Sequence, residues 1–371
     1  MKQGKKKQIS AQQWSLWIVL AVLVLMVAAV SYYYSPGRGG NAQTDIAYPA
    51  PVAGGSSQVE EVKLGESPVM EIALSGPAAD PSAEFSGLAW FGDNLILLPQ
   101  YPNIFDENGD GLLFYLPKDE LKIYIGGAQG APLELRSIKL IAPDLTDQIR
   151  DYQGFESIGF SGDQAFLTIE AWTGTDMHGY LISGTMSADL STLTLDTTKL
   201  TEIPTQAKSD NHSDESMLVM KDKVITFYEV NGTAIVSNPV AHVFDFDLNP
   251  QGTIPMDNLE YRLTDTALSA EDKFWGINYL FPGDTDLLPQ NEPILEKFGT
   301  GETHAKHPQV ERLVQFLYSD SKIIVSGRPP VYLQLTEDIR NWEGLVVLDD
   351  YGVLMVTDKY PRTILAFVRV R

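Results

Sequence analysis

From about Val59 onward the chain is built of short apolar runs separated by turn residues, the spacing of strands and not of helices. The clearest run spans Asn341 to Lys359: Glu343, an apolar strand, the turn Asp349-Asp350-Tyr351-Gly352, a second apolar strand, and Asp358. With Asp350 and Tyr351 as the turn, Glu343 falls opposite Asp358. The same unit recurs from Ser86 to Gln100, Glu156 to Glu170, Glu215 to Glu229 and Asp265 to Tyr279. In all five an Asp follows the lead residue at one fixed interval (Asp93, Asp163, Asp222, Asp272, Asp350), so the hairpins are a repeat.

Each hairpin is followed by a third strand-like segment: 111–116, 178–182, 242–246, 312–318 and 363–369. A further segment precedes each lead residue, at 69–74, 133–141, 193–203, 258–263 and 331–335. Four strands per unit, with one unit split between 69–74 and 363–370, is the arithmetic of a closed ring. The expected fold is all-β, a five-bladed β-propeller, with a sixth blade possible only in the Pro/Gly/Asp-rich insertion 281–310. Acids in the second and third units reach the channel face only if their turns have three residues, centred on the Asp.

Ahead of this lies a different pattern. Residues 1–13 carry Lys2, Lys5, Lys6 and Lys7 without an acid, and residues 14–34 carry no charge. Such a stretch is long enough for one N-terminal transmembrane helix, flanked by Trp14, Trp17 and Tyr32 to Tyr34 as interfacial aromatics. The lysines predict a cytoplasmic tail, a single-pass anchor in the lipid bilayer at 14–34, a flexible linker at 35–57 and an extracytoplasmic propeller over 58–371. A cleaved signal peptide ending near Ala28-Ala29-Val30 is the other reading.

Composition narrows the chemistry. A formal charge of -22 excludes nucleic acid as a partner, since the lysines and arginines that phosphates need are scarce. The absence of cysteine excludes disulfides, thiolate metal sites and thiol nucleophiles. Rotational symmetry places Ser86, Glu156, Glu215, Asp265 and Glu343 in one ring at a channel mouth, with Gln100, Glu170, Glu229 and Asp358 as a second tier. Two carboxylates about 5 Å apart repel by roughly 3 kcal/mol at an effective dielectric near 20. The ring must therefore bind a cation, take up protons or pair with arginine. Ca²⁺ suits its oxygen donors. Arg262 and Arg340 each stand three residues before a ring acid, and Arg150 six before, so a salt-bridged plug stays open beside the ion.

These residues resemble the phytase-like β-propeller family, often described as having esterase-like activity of phytase. The resemblance rests on Phe85-Ser-Gly-Leu88, Phe155-Glu-Ser-Ile158, Asp214-Glu-Ser-Met217, Leu263-Thr-Asp-Thr266 and Trp342-Glu-Gly-Leu345, in that order along the folded region. Ser157 and Ser216 replace family glycines, and Tyr279 stands where the family tends to carry Glu-Arg. The ring also looks like the calcium site of soluble apyrases, an analogy of site only.

The resemblance implies a calcium-dependent phosphoester hydrolase. Ser86, Glu156, Glu215, Asp265 and Glu343 would be its metal ligands, Glu170, Glu229 or Asp358 its base, and Arg262 and Arg340 would bind a small phosphorylated or anionic ligand. The alternative is a non-catalytic binding or scaffold propeller. Basic side chains on the open side of the ring would favour the first, and closure by internal salt bridges the second. Three smaller candidates remain. Asp106 to Gly111 opens like a calcium loop but has Pro117 at its twelfth position, and His304 with His307 forms a possible metal pair near Glu302. His212 abuts the third repeat. No nucleophile elbow or phosphate-cradling glycine loop occurs.

Overall fold

The computed structural model describes residues 64–370, except 107, 128, 129 and 210; the anticipated tail, anchor and linker lie outside these residues. Among the described residues, no helix is long and apolar enough to cross a membrane.

The strands gather into five antiparallel units of four. The first runs Phe85–Phe91, Asn94–Pro99, Leu112–Pro117, Arg136–Ile141, and the second Tyr152–Ser161, Gln164–Trp172, Met177–Met186, Thr192–Ile203. The third is Asp214–Met220, Lys223–Tyr228, Val240–Asp245, Pro250–Pro255, and the fourth Arg262–Ala270, Lys273–Leu280, Val310–Ser319, Lys322–Val325. The fifth is Trp342–Leu348, Gly352–Thr357 and Leu365–Val368, completed by Val69–Ile72 from the other end of the described chain. That last pairing is antiparallel, with Val69 opposite Val368 and Ile72 opposite Leu365. The first two units merge into one eight-stranded sheet, because Thr192 to Thr194 pair in parallel with Lys139 to Ile141.

The innermost strand of each unit packs on the next: first on second, second on third, third on fourth, fourth on fifth, fifth on first. The ring is closed, and this is a β-propeller. Its apolar clusters lie between neighbouring sheets. Phe227, Phe274 and Phe316 join the third and fourth units, while Leu88, Leu97, Leu354 and Val356 join the first and fifth. Gly344 sits at such a seam, where a Cβ would lie 2.9 Å from Leu88 Cγ and 2.7 Å from Val356 Cγ1.

Three expectations need correction. The outer strand of the third unit is Pro250–Pro255 and not 258–263, and that of the fourth is Lys322–Val325, with Val331–Tyr332 pairing elsewhere on Val310–Ser319. Leu259 and Leu333 within those segments are buried, which gives them a strand-like apolar signal. The insertion 281–310 is not loop throughout: between Leu280 and Val310 it holds short 3-10 turns and the helix Pro293–Phe298.

The turn geometry also differs. The hairpins of the first four units have two-residue turns, closed by the pairs Phe91↔Asn94, Ser161↔Gln164, Met220↔Lys223 and Ala270↔Lys273. The fifth has three, between Leu348 and Gly352. What re-aims the acids is a β-bulge at the lead residue of every inner strand, where the register slips across Ser86, Glu156, Glu215, Thr264-Asp265 and Glu343.

Candidate functional site

The bulges turn their odd residues toward one end of the channel, where a cavity of about 840 Å³ opens. Ser86, Glu156, Glu215 and Glu343 line it, with Glu170 and Asp358 from the second strands. With Gln100 and Arg262, eight of the residues singled out for the site thus come together.

Asp265 does not join them. In the fourth unit two residues, Thr264 and Asp265, lie between the paired positions instead of one, and Thr264 takes the ring position. Its hydroxyl donates at 2.6 Å to Trp342 O, while Asp265 turns sideways and accepts from Leu345 N at 2.7 Å and Thr266 N at 2.8 Å. Asp265 is therefore a strap between neighbouring inner strands. Burial holds its carboxyl well above the usual carboxylate range.

Arg340 is likewise structural. It is buried, bonds Glu311 at 2.7 Å and Gln334 O at 2.8 Å, and does not line the cavity. Glu311 also accepts from Trp342 Nε1 at 2.7 Å, so this group fastens the fourth unit to the fifth. Arg262 does line the cavity, but its guanidinium is occupied: Nη1 bonds Glu229 and Nε bonds Asp284, each at 2.7 Å. Burial works against its charge, and Glu229 with Asp284 outweighs that, leaving Arg262 more firmly protonated than a free arginine. Glu229 is covered and does not line the cavity, which removes it from the groups that can meet a ligand.

Five of the other carboxyls at the mouth take up protons more readily than free ones. Burial, then the charges of Glu229, Glu170, Glu156 and Glu343, pushes Glu215 well up. Burial followed by Glu170 does the same to Glu156, although Gln100 Nε2 donates to it at 2.9 Å. Gln100 reaches that position past Gly154, where φ is +128° and a Cβ would lie 2.4 Å from Gln100 Cγ. Burial and then Asp358 raise Glu343, and burial raises Asp358. Glu170 is pushed up to about 7 by burial and by Glu229, and its Oε1 has no hydrogen-bond partner. Among the described residues, no three His, Asp or Glu side chains converge closely enough to grip one metal ion.

Several lining residues had no signal in the repeat. Tyr101, Phe281, Asp284, Tyr360 and Lys359 come from loops after the strands, and Lys359 pairs with Glu84. Tyr279, at the end of a second strand, was foreseen only as a departure from the family pattern. Burial lifts Tyr101 to about 12, so its phenol stays neutral.

The smaller candidates resolve otherwise. His304 bonds Glu66 at 2.9 Å and accepts from Glu311 N at 3.2 Å, whereas His307 is exposed, so they form no metal pair. Asp110 of the loop-like run accepts from Ala142 N at 2.7 Å and serves as a turn. His212 does approach the site, with Nε2 3.9 Å from Glu229 Oε2.

No family model matches the chain. No curated protein matches it either. Among solved structures it is similar to a beta-fructofuranosidase of Bombyx mori, at 12% identity over 81% of this chain and 61% of that one, TM-score 0.44. An exo-1,5-alpha-L-arabinanase from a bovine ruminal metagenomic library shares 8% identity over 80% and 95% of the two chains, TM-score 0.43. An alpha-L-arabinofuranosidase from Clostridium thermocellum shares 9% over 74% and 81%, TM-score 0.43. The chain thus spans about three fifths of the Bombyx enzyme's length. Likenesses at this level carry no functional argument, and the site is read from its own geometry.

Proposed function

We propose that the chain is a membrane-tethered, extracytoplasmic five-bladed propeller whose channel-mouth cavity is a hydrolytic site run by carboxylic acids. Glu170 carries this reading. It lines the cavity, one of its oxygens lacks a partner, and its carboxyl titrates at about 7, where a group both gives and takes a proton at neutral pH. Arg262 neutralises Glu229 beside it, so Glu170 is the carboxyl left on that wall to exchange protons. Asp358, across the mouth next to Glu343, is the second acid–base candidate.

A second reading is the calcium-dependent phosphoester hydrolase, favoured by an all-oxygen donor set. Ser86, Glu156, Glu215 and Glu343 would hold the ion. When bound it would supply the positive charge that a phosphoester needs in so acidic a cavity. It requires these side chains to draw closer together than they stand.

The test is hydrolysis of a nitrophenyl acetate, phosphate and glycoside series by the full chain, with calcium and with chelator. Glu170→Gln is expected to lower turnover about 100-fold or more while the fold survives. Activity found only with calcium, and only on phosphoesters, would establish the second reading. No activity on any substrate leaves a non-catalytic binding propeller.

A further inference from the structure

The cavity wall carries nine carboxyl side chains (Glu84, Glu156, Glu170, Glu215, Asp284, Glu337, Asp338, Glu343 and Asp358) against two basic ones, Arg262 and Lys359. Both bases are already taken, Arg262 by Glu229 and Asp284, Lys359 by Glu84. Such a wall offers an anion no free basic side chain. The acids stand too far apart to close on a bare metal ion, yet Glu170, more than nine-tenths buried, lines this space and has one carboxyl oxygen without a hydrogen-bond partner. As the acids stand, their spacing suits a positive charge larger than a bare metal ion.

The rim adds the second half of the pattern. Tyr101, Tyr279, Phe281 and Tyr360 line the same cavity, together with Met177. Phe281 and Tyr360 are well exposed, at 46% and 60%. Aromatic faces around a carboxyl floor attract organic cations, because the ring quadrupole and the carboxylate act on the same ammonium group.

We propose that the cavity binds an organic ammonium ion, with the charged nitrogen over Glu170 and Glu215 and its alkyl substituents against the aromatic rim. This rests on taking the cavity as the ligand site and not on hydrolysis. Before binding, burial and mutual repulsion favour the protonated forms of Glu156, Glu215 and Glu343, with Glu170, Glu229, Asp358 and Arg262 as the other titratable groups around them. An arriving ammonium displaces protons, so binding tightens as pH rises.

Calorimetry on the full chain decides the matter, with choline, its uncharged isostere 3,3-dimethylbutan-1-ol, and calcium chloride as probes. Choline is expected to bind at least about tenfold more tightly than the alcohol. Between about pH 6 and pH 8 its affinity should rise, with proton release read from buffers of different ionisation heat. Equal binding of choline and alcohol would overturn the proposal, as would no choline binding at millimolar concentration. Calcium binding in choline's place would overturn it too. Choline binding without hydrolysis of any substrate sinks the hydrolase reading alone. Hydrolysis without choline binding sinks this one alone.

Discussion

Ser86 and Thr264 make the same bond. Each hydroxyl donates at 2.6 Å to the backbone carbonyl just ahead of a glutamate on the next inner strand, Phe155 O before Glu156 and Trp342 O before Glu343. The ring around the channel mouth therefore reads hydroxyl, Glu, Glu, hydroxyl, Glu. Its two hydroxyl positions bond the seams between strands, and Ser86 lines the cavity as well, beside the three glutamates.

Thr264→Val keeps the shape and removes the donor, leaving Trp342 O unpaired in a buried place. The expected loss is about 1–3 kcal/mol in urea unfolding. An unchanged midpoint would mean that water takes over the bond and that the seam does not depend on it.

The two arginines should separate cleanly. Arg340→Met strands the buried Glu311 and should cost about 3–5 kcal/mol of stability. Arg262→Met removes a side chain that lines the cavity and leaves the covered Glu229 behind it without its partner, so its main effect belongs on ligand binding and on the titration of Glu170. Thermal melts and Glu170 titration by NMR, done on both variants, check the assignment.

Stability should fall as pH rises, the reverse of the common pattern for acids. Glu170 goes from an ordinary value of 4.5 to about 7 in the folded protein. Between those values the native state holds more protons than the unfolded one, so the stabilisation is complete below about 4.5 and lost as pH climbs through 7. For Glu170 this amounts to something on the order of 3 kcal/mol. Glu156, Glu215 and Glu343 shift the same way. The melting temperature should be higher at about pH 5 than at pH 8, and Glu343→Gln should flatten the difference. A melting temperature that rises over this range would show that the ring is neutralised by something other than protons.

The calcium reading makes a separate demand. The ion at a hundred times its dissociation constant would add about 2.7 kcal/mol of stability. If calcium and chelator give the same melting temperature, Glu156, Glu215 and Glu343 do not hold it.

Removing residues 1–76 should open the fifth unit and expose two strand edges, whereas removing residues 1–57 leaves Val69–Ile72 in place. Light scattering on heating compares the two truncated chains. Equal behaviour would mean that the pairing of Val69 with Val368 contributes little.

Much of this was legible in the chain because the repeat has two markers in phase, a lead residue and a turn Asp. That fixed the five hairpins, the closing pair at the two ends and most of the acids at the mouth. The bulges were not legible. A one-residue slip leaves no mark in an apolar pattern, and at Thr264-Asp265 two residues share the irregular stretch, so the acid was assigned the role its neighbour plays. Arg340 misled for a related reason: three residues before a ring acid fits a channel-facing group and a seam equally well. Arg340 became a seam residue because Glu311, far away in sequence, sits behind it. The aromatic rim lies on loops whose course is set by tertiary packing.

The pairing of Val69–Ile72 with Leu365–Val368 also orders events in time. During synthesis the first of these strands is complete while its partner has yet to be made, and every intermediate length of chain carries an unmatched strand waiting at its start. Assembly is therefore all or nothing at its final step. A chain interrupted anywhere in the fifth unit spoils the first strand as well as the last.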